Sequence, residues 1–164
     1  MSLELVRYHE PLQEEERAFL IRKETRDRRQ FFKVLQIVLV ICFILPFAMA
    51  WGEAIVGKPN PFSFKLYFIG VGTLVGLTTG AALVSYRSNL YLLYRDLRAN
   101  TKTIERTTIS RKYLMRPTQK CFFYLNSKIR LSIEVSEEDF DNFEVGDEVN
   151  IEYATFSKSY FGYF

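Results

Sequence analysis

Leu66–Tyr86 reads LYFIGVGTLVGLTTGAALVSY, twenty-one residues without a charge. A helix that crosses a bilayer needs about 20 mostly apolar residues, and this stretch meets that length. Within it Gly72, Gly76 and Gly80 recur every fourth residue. Glycine costs a helix interior roughly 1 kcal/mol against alanine, so three in register call for a reason. Residues four apart share one face of a helix. Helices in lipid gain little by burying apolar surface against each other; they gain from the close backbone contact that small residues allow. The spacing therefore predicts a packing face, set against the other span, a second copy or another subunit. A hinge or a pore lining are the other uses of such a face.

A second stretch, Val34–Trp51, VLQIVLVICFILPFAMAW, carries no charge over eighteen residues. A chain of 164 residues could hardly enclose two all-round apolar helices in a soluble core. A charge-rich segment of some thirty residues precedes the first stretch, so it is not read as a signal peptide. The organisation expected is an N-terminal segment over 1–33, a membrane helix over 34–51, a loop over 52–65, a second membrane helix over 66–86, a helical stalk over 87–100 and a β-domain over 101–164. Pro46 inside the first span predicts a kink.

Basic residues near span ends stay in the cytoplasm. Eight lie before the first span, from Arg7 to Lys33, and nine follow the second, from Arg87 to Lys120, whereas the loop holds only Lys58 and Lys65. Both termini are thus expected in the cytoplasm. The loop GEAIVGKPNPFSF, with two prolines and two glycines, is expected on the outer side. Arg87, Arg95, Arg98 and Lys102 read as a basic collar against an anionic leaflet. Beyond Cys121 the charge reverses, with nine acidic residues against three basic. Cys42 and Cys121, on opposite sides of a membrane boundary, are not expected to pair.

Residues 1–11 read as irregular. From Pro11 the pattern turns helical, with Glu14, Glu15 and Glu16 at the positive end of the helix dipole. Two readings fit this segment: an amphipathic helix on the inner leaflet, or a solvated helix that binds a partner. After the second span, Leu90, Leu93, Tyr94 and Leu97 continue the helical spacing to Asn100, a C-terminal capping residue.

From Thr101 the period changes. KTIERTTISRKYLMR is rich in β-branched residues, KCFFYL follows, and in IRLSIEV the apolar Ile129, Leu131, Ile133 and Val135 alternate with polar residues. SEEDFDNF reads as a short helix capped by Ser136. Gly146 then turns the chain into DEVNIEYA, and KSYFGYF ends it. Three strands, a helix and two strands is the element order of an OB-fold, with an SH3-like barrel as the alternative. The expected fold class is therefore a membrane helical hairpin followed by a small C-terminal all-β barrel with one short helix. Four aromatics in the last six residues exceed what one face of a strand can hide, so two readings stand for Tyr160, Phe161, Tyr163 and Phe164: a final strand that seals the barrel, or a strand some of whose aromatics dock on a partner or on the membrane surface.

Catalytic signatures do not appear. His9 is the sole histidine; there is no metal-ligand spacing, no Gly-rich phosphate loop and no nucleophile elbow. No Asp, Glu, His, Lys or Arg lies inside either span, which speaks against a proton relay. The β-domain lacks the basic groove that single-stranded nucleic acid requires. The expectation is a protein that is not an enzyme, with no cofactor, no metal and no nucleic-acid partner. The layout, with its GDEVNIEY turn, resembles the membrane-anchored OB-domain proteins of the NfeD type and two-span bacterial proteins that end in a short β-domain. That resemblance implies an accessory or scaffold role in the bacterial inner membrane, among lipid, other subunits or further copies of itself. A homo-oligomeric channel and a membrane-tethered ligand sensor are the alternatives.

Overall fold

The computed structural model describes residues 6–57, 63–116 and 119–164. Lys58, Pro59 and Pro61 of the expected outer loop lie outside these residues, as do Pro117 and Thr118 of the turn before KCFFYL. Two compact units emerge: Ala18–Tyr94, and Arg95–Phe164 together with the N-terminal segment up to Arg17.

The first unit is helical. α1 runs from Glu14 to Ile55 as one helix, so the polar N-terminal segment and the first apolar stretch are a single element. α2 covers Phe64–Ser85, a π-helical turn covers Tyr86–Leu90 and α3 covers Tyr91–Ala99. Both long helices are long and apolar enough to cross a membrane. Their apolar residues are mostly exposed or half-buried; within the two uncharged stretches only Cys42 and Val71 are buried. Cys42 Sγ lies 3.3 Å from Thr78 Oγ1, and a Cβ placed on Gly70 would meet the Pro46 ring at 3.6 Å. Beside that proline the Tyr67 hydroxyl donates to the Phe43 carbonyl at 3.3 Å, in the turn where a proline loosens the helix ladder.

The second unit is a curled antiparallel sheet. Its strands are β1 (Arg7–Pro11), β2 (Thr101–Met115), β3 (Lys120–Leu125), β4 (Ser132–Val135), β5 (Glu148–Ala154) and β6 (Tyr160–Tyr163). The order is β4-β3-β2-β5-β6, with β1 on β2. The expected elements from 101 onward are present in the expected order. The N-terminal segment departs from expectation: residues 7–11 are a strand, paired Arg7↔Glu105 through Pro11↔Thr101. β2 serves two neighbourhoods. Its first half lies between β1 and β5; a bulge between Ile109 and Arg111 then turns its second half onto β3. Among the described residues no ladder joins β4 to β6, so the sheet is a half-barrel rather than a closed one.

Its core is Ile109, Cys121, Phe123, Leu125, Ile133, Val135, Val149, Ile151 and Tyr153. α4 (Glu137–Asn142) covers one end. Ser136 Oγ accepts from Asp139 N at 3.0 Å, the helix cap read in the sequence. Phe140 and Phe143 then meet Phe123, each with ring centroids 6.0 Å away. Gly146, at φ +103°, takes a turn conformation that a side chain would strain; its N–H reaches the Ile109 carbonyl at 2.8 Å.

Candidate functional site

On α2 the three glycines behave alike. A Cβ built at Gly72, Gly76 or Gly80 would meet no atom within 4 Å. Gly70 is the glycine that faces α1, through Pro46. Of the partners considered for this face, α1 is therefore excluded within one chain, and the triplet is a smooth, open strip on an apolar helix. Thr73, beside it, spends its hydroxyl on the Ile69 carbonyl at 2.8 Å.

The half-barrel holds a second feature that the sequence did not announce. Thr103, Glu105 and Thr107 project to the same side of β2 as Ile109, so the apolar core passes into a polar cluster. Glu105 is fully buried. Its carboxylate accepts from Ser127 Oγ at 2.6 Å, Tyr153 Oη at 2.8 Å and Arg7 Nε at 2.9 Å. Burial, and then the bond to Glu105, push the Tyr153 phenol well above its ordinary pKa. Nearby, Thr103 Oγ1 lies 3.0 Å from His9 Nδ1 and donates to Thr155 at 3.1 Å. The sole histidine thus sits in the β1–β2 ladder.

The other side of β2 carries Lys102. It was expected to extend the basic collar; the structure turns it inward. Its ammonium is 2.8 Å from Glu16 and 3.0 Å from Glu152, and its side chain is 2% exposed. A buried ammonium needs such partners, and two carboxylates supply them. Glu16 also accepts from the Gln13 N–H at 2.8 Å, so one side chain caps α1 and pairs with β2. Arg87, on the π-helical turn, and Arg98, near the end of α3, are exposed. Arg95 is exposed too, but its guanidinium stacks over Phe156 at 3.9 Å. Next to it Asp96, fully buried, accepts the backbone N–H groups of Phe156 and Ser157 at 2.7 and 2.8 Å. This pins the β5–β6 turn, where Lys158 adopts φ +57°.

The C-terminal aromatics form β6, paired with β5 through Ile151↔Tyr163 and Tyr153↔Tyr160. Tyr160, Phe161 and Tyr163 are half-buried, and Phe164 is 58% exposed. Tyr163 donates to Asp139 at 2.5 Å, and this bond, with Ser136, draws the Asp139 carboxyl below its ordinary value. The contact ties β6 to α4 where no ladder closes the sheet. Tyr160 differs. Its hydroxyl is shielded from solvent with no hydrogen-bond partner, burial raises its pKa to about 12, and the Arg130 guanidinium lies 5.0 Å over its ring. A buried hydroxyl without a partner costs about 1–3 kcal/mol, so Tyr160→Phe is expected to raise the stability of the sheet by about 1 kcal/mol. Slower amide exchange in β5 would register the gain.

Among the described residues no group of three metal-ligating side chains comes together. In comparisons with known proteins, no family model, no curated protein and no solved structure matches this chain.

Proposed function

We propose that this protein is a non-catalytic accessory subunit of a bacterial inner-membrane assembly, anchored by two membrane-crossing helices with both termini in the cytoplasm. The glycine strip packs against another helix of the assembly, and the OB-like β-domain docks a cytoplasmic protein through its last strand, Tyr160–Phe164. The observation that carries the reading is the open strip. Three glycines in tandem on an apolar helix, with nothing of their own chain within 4 Å, suit a helix from outside the chain. A scarcity of buried apolar side chains in both helices supports lipid as the solvent.

The same openness supplies a selective test. Gly76→Ile introduces no clash inside the chain, because the space over Gly76 is empty. The variant is expected to keep its helix content and lose its partners: its complex mass in mild detergent should fall to that of the single chain, while Gly76→Ala retains most of the assembly. An unchanged mass for Gly76→Ile overturns the proposal.

A further inference from the structure

A cleft of about 580 Å³ opens between α1 and α2. Its two walls change character in the same direction. On α1 the lining runs from Asp27 and Gln30 to Val34 and Val38; opposite, it runs from Asn89 on the π-helical turn and Ser85 at the end of α2 to Ala82 and Ala81, with Thr78 beyond them. The helices are antiparallel in sequence order across the cleft, so each wall is polar at the same mouth and mostly apolar below it; the Thr78 hydroxyl at the far end is spent on Cys42 Sγ, 3.3 Å away. Small side chains on the α2 wall leave room opposite the branched ones of α1. At about 1.5 Å per residue, Asp27 to Val38 spans roughly 16 Å, the length of much of an acyl chain.

Among the residues that line the cleft, Asp27 is the one acidic or basic side chain. Arg26 Nε stands 3.6 Å from an Asp27 oxygen, a long contact on a side chain that is 74% exposed. The mouth therefore offers a carboxylate, and Arg26 stands next to it on the helix, just outside the lining. We propose that this cleft binds one phospholipid with a primary-ammonium headgroup, the ammonium on Asp27, the phosphate toward Arg26 and one acyl chain along Val34 and Ala82. Three N–H donors on one small cation suit the Asp27 carboxylate and the side-chain oxygens of Ser85 and Asn89. A quaternary choline head has no such donors, and a glycerol head has no cation. The proposal rests on the reading of α1 and α2 as membrane helices.

The test uses the full chain, purified in mild detergent, stripped of lipid and titrated with phosphatidylethanolamine, phosphatidylcholine or phosphatidylglycerol of identical acyl chains. Native mass spectrometry counts what stays bound. The expected result is one phosphatidylethanolamine per chain, held about tenfold more tightly than either other lipid. Asp27→Asn should abolish the preference, and Ala82→Phe, which fills the cleft, should weaken all three lipids. Equal retention of the three lipids overturns the proposal, as does a preference that survives Asp27→Asn or a lipid-free dimer that occupies the cleft. If Asp27→Asn does not fold, Ala82→Phe decides: unchanged phosphatidylethanolamine retention overturns the proposal. The membrane reading fails by a different sign, a protein that stays monodisperse when detergent is removed before any lipid is added.

Discussion

Glu105→Ala is expected to cost the β-domain about 3–5 kcal/mol, the range for removing one partner of a buried charged pair. The carboxylate meets three donors from three elements: Arg7 on β1, Ser127 in the β3–β4 connection and Tyr153 on β5. Alanine leaves the Ser127 and Tyr153 hydroxyls in a dry interior, where an unpartnered donor is expensive. Arg7 contributes less to the loss, because its side chain is 42% exposed and water can replace the carboxylate. It does lose its anchor, so β1 is expected to fray first. Amide exchange on the full chain in detergent reads both effects. In Glu105→Ala, β1 should exchange near the rate of an open strand and β5 should lose most of its protection, while α2 is unchanged. Protection of β5 at the original level would show that the cluster is incidental. Glu105→Gln, which retains an acceptor and the volume, should fall between the two.

The position of Glu105 explains which parts of this chain were legible in its sequence. Where one face of a strand meets the core and the other meets water, polar and apolar residues alternate, and IRLSIEV and DEVNIEYA announced themselves in this way. The first half of β2 has β1 and β5 beside it and is buried on both faces from Lys102 to Glu105. Its sequence, KTIERTT, has no clean alternation, and Lys102 reads as part of the basic collar. Only the register with β1 and β5 turns Glu105 toward Tyr153 and Lys102 toward Glu152. β1 was hidden for a related reason. RYHEP is short, polar and exposed along its length, and its strand character comes from the β2 backbone that it pairs with. The capped helix after Ser136 needed no such partner, since its hydrogen bonds lie within four residues.

In the two long apolar helices, the glycine spacing could be read because a missing side chain is a property of the residue itself. That the strip faces away from α1, while Gly70 faces Pro46, depends on the rotation of one helix against the other. The cleft beside Asp27 was illegible for the same reason: residues 27 and 89 share no local pattern, and only antiparallel pairing aligns the polar end of one wall with that of the other.

Lys102→Met is the second substitution with a large expected effect, and it separates two roles for a buried charge. Methionine fills much of the same space, so packing loss is small. The electrostatic loss is not, because Glu16 and Glu152 remain, each less than a fifth exposed, with no cation between them. Stability should fall by about 3 kcal/mol near neutral pH. Adding Glu152→Gln should recover part of it, since the remaining carboxylate then faces an amide; an additive further loss in the double variant would mean that the carboxylates do not act on one another. The pH dependence follows from the direction in which Lys102 is shifted. Burial alone lowers its pKa, but its hydrogen bonds to Glu16 and Glu152 outweigh burial and hold it above the ordinary 10.5. A group raised on folding stabilises fully below its unfolded value and ceases to do so as pH climbs through its folded value. The wild-type advantage over Lys102→Met should therefore be constant from pH 7 to about 10, where the unfolded amine stays protonated, and should shrink above that. Buried tyrosines also titrate in the alkaline range, but they are common to both proteins and cancel in the difference. A gap that stays constant through pH 12 would mean that Lys102 holds the start of α1 against β2 by its hydrocarbon stem rather than by its charge.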